Sequence, residues 1–133
     1  MNNQEKIKSA MTRLVEQGKL DVVDEFFSTG YVAHAGDKDY RGHEFIKRYS
    51  KELKSALPDV RVVKIKFLLE ADETIAWLRK LSGTHKGGMR GIPASDKKVV
   101  WTEMVVSRFE KGKIAEEWVI SDLAGQLFSK QSK

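Results

Sequence analysis

The sequence predicts an α+β fold in which helices fill the first 57 residues and a mainly antiparallel sheet follows. Three observations carry this. Apolar residues recur at helical spacing as far as Leu57, the period switches to two after Pro58, and no repeat, linker or low-complexity run divides the 133 residues. A chain of this length forms one domain over 1–133, with room for one core and one pocket.

The elements follow in order. Ile7, Met11, Leu14 and Val15 share one helical face, Asn2 with Glu5 forms a capping-box pattern, and Gly18 is a stop. A short helix over 20–28 carries Leu20, Val23 and Phe27, and ends at Gly30. Tyr31 to His34 is extended. A third helix over 42–57 aligns Phe45, Tyr49, Leu53 and Ala56, and Pro58 ends it. In a strand over 60–70, Val63, Ile65, Phe67 and Leu69 face one way and Lys64 and Lys66 the other. The next, over 74–85, groups Ile75, Trp77, Arg79 and Leu81. A third, over 97–110, carries Val99, Trp101, Val105 and Phe109 on one side and Val100, Met104 and Val106 on the other, the pattern of a strand covered twice. Glu110 to Lys113 makes a tight hairpin with Gly112 at positive φ. A last helix spans 123–131. The Gly-rich connection over 85–98 is longer than a hairpin needs, which suits either a pocket rim or a plain connector.

Composition narrows the chemistry. There are no cysteines, so disulfides, thiolate zinc sites and Cys nucleophiles are excluded. Net charge is +5 with a pI near 9.4, but lysines alternate with acids along the whole chain, which describes a solvated surface and not a nucleic-acid stripe. No apolar run approaches the roughly 20 residues of a membrane span, and the first residues hold no apolar signal segment. A cytoplasmic protein without membrane or nucleic-acid partners is the expectation. His34, His43 and His85 lack the spacing that preorganises metal ligands, so no metal is expected.

The segment Ile114-Ala-Glu116-Glu117-Trp118-Val-Ile-Ser-Asp122 stands out. Strict alternation puts Ile114, Trp118, Ile120 and Asp122 on one face, so a carboxylate ends an apolar stripe. Such a carboxylate needs a partner or a raised pKa. Asp122 is either the N-cap of the last helix or the acid of a site.

Ordered signatures connect these pieces. Tyr31-Val-Ala-His34, Leu57-Pro-Asp-Val60, Gly83-Thr-His85-Lys-Gly87, Gly91-Ile-Pro93, Arg108-Phe-Glu-Lys-Gly112-Lys-Ile114 and Glu116-Glu-Trp118-Val-Ile-Ser-Asp122-Leu run in sequence over nearly the whole chain. Together they resemble the SnoaL-like polyketide cyclases of the NTF2-like superfamily. The resemblance implies a cone-shaped α+β barrel with amino-terminal helices against a strongly curved sheet, a central apolar cavity, and homodimers formed through the outer sheet face. It also implies an intramolecular aldol closure or related proton transfer on a small, mostly apolar or aromatic carbonyl compound, with no cofactor. Asp122 matches the position of the general acid/base in that chemistry. Relatives often carry an acid where Val105 stands and a histidine where Glu117 stands, and the Arg and Trp positions around Arg79 are rearranged.

The remaining candidates follow from residue type. His34 can look into the cavity mouth and assist as hydrogen-bond partner, or serve as a structural histidine. Arg79, among apolar neighbours, needs Glu103 or Glu116 as partner, or clamps a substrate oxygen. Tyr49, Trp77, Trp101, Met104 and Trp118 are candidate cavity lining, and His85 orients the loop that it opens. The competing readings are a non-catalytic small-molecule binder using the same cavity and a protein-interaction domain using the outer sheet face around Lys64 and Lys66.

Overall fold

The computed structural model describes residues 1–131. Helix α1 (Asn3–Ala10) begins with the expected capping box, in which the Asn2 side chain accepts the Glu5 amide and the Glu5 carboxylate accepts the Asn2 amide, both at 2.8 Å. It runs into a π-helical turn, Met11–Glu16, which ends before Gly18 at φ +68°. Helix α2 (Val22–Phe26) is shorter than expected, because Phe27 is already extended and opens strand β1 (Phe27–Ala35). A small strand β2 (Lys38–Arg41), not anticipated, folds back on β1 before helix α3 (Gly42–Ala56).

Four strands follow: β3 (Arg61–Ala71), β4 (Thr74–Thr84), β5 (Lys98–Glu110) and β6 (Lys113–Ser121). Lys111 and Gly112, both at positive φ, make the expected hairpin turn between the last two. The six strands form one sheet in the order β2-β1-β6-β5-β4-β3, antiparallel except for β1 beside β6. The sheet is curved and unclosed, with helices packed on its inner face, and α4 (Leu123–Ser129) closes the described chain. No helix is long and apolar enough to cross a membrane.

Two apolar clusters hold the helices on the sheet. One joins Ile7, Met11, Leu14, Val23 and Phe26 to Ile75, Trp77, Val105, Phe109 and Ile114. The other joins Leu53, Leu57 and Val60 of the α3 end to Leu81, Val99, Trp101, Leu123 and Leu127. Each fully buried side chain of this size stabilises the fold by about 1.5–3 kcal/mol relative to exposure.

Bulges alter the strand faces. In β3 the register with β4 shifts between Val62 and Lys64 and again between Phe67 and Leu69, so Ile65 and Phe67 pack inward while Val63 and Leu69 are exposed. In β6, Phe109 pairs with Ile114 but Arg108 pairs with Glu116, which leaves Ala115 as an extra residue. Inward positions therefore change from Ile114 before the bulge to Glu117, Val119 and Ser121 after it. Trp118 is 42% exposed on the outer face, and Ile120, which also borders the cavity, is 76% exposed, contrary to the expected inward stripe. The outer side of β5 is also uncovered in the single chain, with Val100 and Met104 exposed.

Candidate functional site

A cavity of about 1460 Å³ lies between the two apolar clusters. Met11, Leu14, Phe27, Leu53, Leu81 and Trp101 give it apolar walls, and the loop after β4 contributes Met89 to Pro93 at its mouth. Two charged groups are set into these walls.

The first is centred on Glu117, which is 7% exposed. The Tyr31 hydroxyl donates to its Oε1 at 2.8 Å, and the Ser107 hydroxyl donates to its Oε2 at 2.5 Å. Ser107 in turn accepts the Trp77 indole N–H at 2.9 Å. Burial pushes the Tyr31 phenol well above its ordinary pKa; the Glu117 charge and hydrogen bond reinforce this, and Arg79 opposes it. Tyr31 is held as a neutral donor.

The second is the pair Arg79 and Glu103, joined at 2.6 Å between Nε and Oε1. Glu103 Oε2 also accepts Ser121 Oγ at 2.7 Å and Trp101 Nε1 at 3.2 Å. Burial alone would raise the Glu103 pKa, but Arg79 and these donors outweigh it and hold the carboxyl below its ordinary range. Burial likewise disfavours the Arg79 cation, and the Glu103 and Glu117 charges more than compensate. The guanidinium lies over the Trp77 ring and also meets Met11 Sδ, at 3.5 Å, from the π-helical turn.

The sequence signatures and this architecture point the same way. The sequence profile described as SnoaL-like polyketide cyclase matches residues 5–128. The chain belongs to this family. Solved structures agree on the fold. A candidate polyketide cyclase from Acidithiobacillus ferrooxidans superposes with a TM-score of 0.82 at 18% identity, over 98% of each chain. IdmH, a candidate polyketide cyclase from Streptomyces antibioticus, gives 0.78 at 19% identity over 100% of both chains. A candidate SnoaL-like polyketide cyclase from Jannaschia sp. CCS1 gives 0.80 at 18% identity, over 98% of this chain and 94% of its own. Comparison with curated protein sequences returns no match.

Several sequence-predicted residues reach the cavity. Arg79, Tyr49 and Trp101 line it, and Glu103 is the Arg79 partner. Trp77 is buried behind Arg79 and reaches the site through Ser107.

Others do not, and the Ala115 bulge explains the main case. Asp122 is exposed beyond the end of β6, outside the cavity lining, where its carboxylate accepts the Thr102 amide at 2.8 Å. It does not cap α4 through its side chain either; Ser121 Oγ accepts the Leu123 amide instead. Trp118 and Met104 are on the outer face and line no part of the cavity. His34 also faces outward. It stacks on Trp118 at 5.2 Å and sits between Asp39 and Glu116, each 2.7 Å from a ring nitrogen, while Glu116 also accepts Arg108. Hydrogen bonds to Glu116 and then Asp39 raise the His34 pKa. His85 is fully buried outside the lining, at the start of the loop. Its backbone bonds Lys97 O and Asp96 N, and its ring nitrogens have no hydrogen-bond partner among the described residues.

Sequence reading missed Tyr31, Ser107 and Glu117 as site residues. The signal was an acid pair at 116 and 117, of which one member had to face inward. Only the strand register decides which. Among the described residues, no group of three or more His, Asp or Glu side chains converges as a metal site.

Proposed function

We propose that the chain is a cofactor-independent acid/base enzyme of polyketide cyclase type acting on a small, mostly apolar carbonyl compound. Glu117 takes the role that the sequence reading offered to Asp122. The observation that carries this is the buried Glu117 carboxylate in the cavity wall, bonded to the Tyr31 phenol and near the Arg79 cation.

The proton balance of an aldol closure fits this pair. Glu117 removes a proton α to a carbonyl, and Arg79 stabilises the negative charge that develops on the enolate oxygen. The α carbon attacks a second carbonyl of the same molecule, whose oxygen becomes an alkoxide. Tyr31 gives its proton to the alkoxide and recovers one from Glu117 through their hydrogen bond. No net proton is gained or lost.

Glu117→Gln keeps the shape and the hydrogen-bonding positions but cannot accept the proton. With aryl 1,3-diketones as probes, α-deuterium uptake followed by NMR is expected to fall at least about 100-fold, with ligand affinity within a few-fold of the parent. Uptake at the parent rate would overturn the assignment. A non-catalytic binding protein is the second reading, favoured by the fact that every Glu103 and Glu117 oxygen already accepts a protein hydrogen bond. It predicts tight binding of the same diketones with no exchange in the parent protein.

The exposed outer-face residues Val100, Met104, Trp118 and Ile120 support a homodimer through that face. Sedimentation velocity is expected to give a dimer that Ile120→Glu dissociates. A parent protein that is monomeric at tens of micromolar would refute this.

A further inference from the structure

The cavity is charged differently at its two ends. Its floor holds Arg79, Glu103 and Glu117, and the one cation is already taken by Glu103, so this end is net negative. Its exposed rim holds Arg48 and Lys51 from α3 and Arg90 from the loop, against one acid, Glu52. That is a strong local excess in a chain whose overall balance is 24 basic to 19 acidic residues.

Two further details separate this rim from an ordinary solvated surface. Neither Arg48 nor Lys51 makes an ion pair among the described residues, although they lie one turn apart on one helix; Arg48 rests only on the Phe45 ring. Arg90 occupies the first position of a two-residue turn closed by mutual Met89 and Ile92 backbone hydrogen bonds, with φ +54°. That left-handed conformation is unfavourable for a long side chain and is normally filled by Gly, Asn or Asp. The turn places Arg90 in the cavity lining together with Tyr49.

We propose that the natural ligand is an amphiphile with a terminal anion, a carboxylate or a phosphate, held at the cavity mouth by Arg48, Lys51 and Arg90. The negative floor repels that group, so the ligand enters with its uncharged end foremost, toward Tyr31 and Glu117. Placement of a reacting carbonyl there rests on the function proposed above; the preference for an anion at the mouth does not.

A matched set of probes tests this by calorimetry: 6-phenylhexanoate, 6-phenylhexyl phosphate, 6-phenylhexan-1-ol and 6-phenylhexylamine. At low salt, at least one of the two anions is expected to bind about five- to tenfold more tightly than the alcohol, and the amine most weakly; three exposed cations of modest individual effect give this size. Whichever anion shows the preference identifies the group. The advantage is expected to shrink at about 0.3 M salt, and to vanish in Arg48→Gln/Lys51→Gln/Arg90→Gln while alcohol affinity stays within about twofold. Equal binding of anions and alcohol, a preference that survives the triple substitution, or no binding by any probe would overturn the proposal. Glu117→Gln keeps the anion preference if the proposal holds, whatever it does to proton exchange, so the two readings can fail separately.

Discussion

Replacing Arg79 by Met tests whether the two carboxylates in the cavity wall depend on one cation. The substitution keeps most of the length of the aliphatic stem but removes the guanidinium, which lies over Trp77 and is the partner 2.6 Å from Glu103. Glu103 is 6% exposed and would keep only Ser121 and Trp101 as donors, and Glu117 would lose the attraction of Arg79. Leaving one member of a buried ion pair uncompensated costs about 3–5 kcal/mol. For a domain of this size, with roughly 4 °C of Tm per kcal/mol, the expected fall is about 12–20 °C. Thermal and urea unfolding followed by circular dichroism measure it. The double variant Arg79→Met/Glu103→Leu removes both charges and is expected to recover at least ~2 kcal/mol of the single-variant loss. The pH dependence has a definite sign. The folded pKa of Glu103 is lowered, so its contribution is present above the ordinary Glu value and lost as pH falls through the folded value. In Arg79→Met that benefit is gone, so the gap between variant and parent narrows as pH falls. A single variant within ~1 kcal/mol of the parent, or a double variant as unstable as the sum of its parts, would refute the reasoning.

Two other predictions concern residues outside the cavity. Asp122→Asn is expected to leave α-deuterium uptake within about twofold and stability within ~1 kcal/mol, since the amide can still accept from the Thr102 N–H; an activity loss like that of Glu117→Gln would restore Asp122 as the acid. The His34 clamp joins β2 to β6 and depends on pH from both sides. His34 is raised by Glu116 and Asp39, so its contribution is complete below the ordinary His value and lost as pH rises through its folded pKa. Glu116 is lowered chiefly by its hydrogen bond to His34, so its contribution is present above the ordinary Glu value and lost as pH falls through its folded pKa. The difference in Tm between parent and His34→Gln should therefore be largest between roughly pH 4.3 and 6.5 and fade above. A difference independent of pH from 4 to 9 would contradict the clamp.

Local chemistry was legible in the sequence wherever neighbouring residues decide the outcome. The capping box at Asn2 and Glu5, the end of α3 before Pro58, and the turn at Lys111 and Gly112 are all set by residues a few positions apart. The inner faces of β4 and β5 were legible too, because their pairing runs without interruption from Thr74 with Arg108 to Thr84 with Lys98, and period-two reading survives intact. For Arg79 the sequence left Glu103 and Glu116 as candidate partners, and the register decides for Glu103, which is directly opposite it. What was not legible depends on the register between distant strands. Val63 and Leu69 carry apolar side chains in perfect alternation, yet two register shifts turn them outward. The π-helical turn that brings Met11 to Arg79 follows an ordinary helical pattern and leaves no sequence mark. Strand β2 is too short and polar to show alternation.

Ala115 has the largest consequence of these hidden features. If the same sequence paired with β5 without a bulge, the face occupied by Ile114 would continue through Glu116, Trp118 and Ile120. The bulge instead turns Glu117, Val119 and Ser121 inward, supplying the carboxylate for Tyr31 and a hydroxyl for Glu103. It also turns Trp118 outward against His34 and leaves Ile120 on the open side of the sheet. The acid-lined cavity and the apolar outer face thus both depend on where this bulge sets the register of β6.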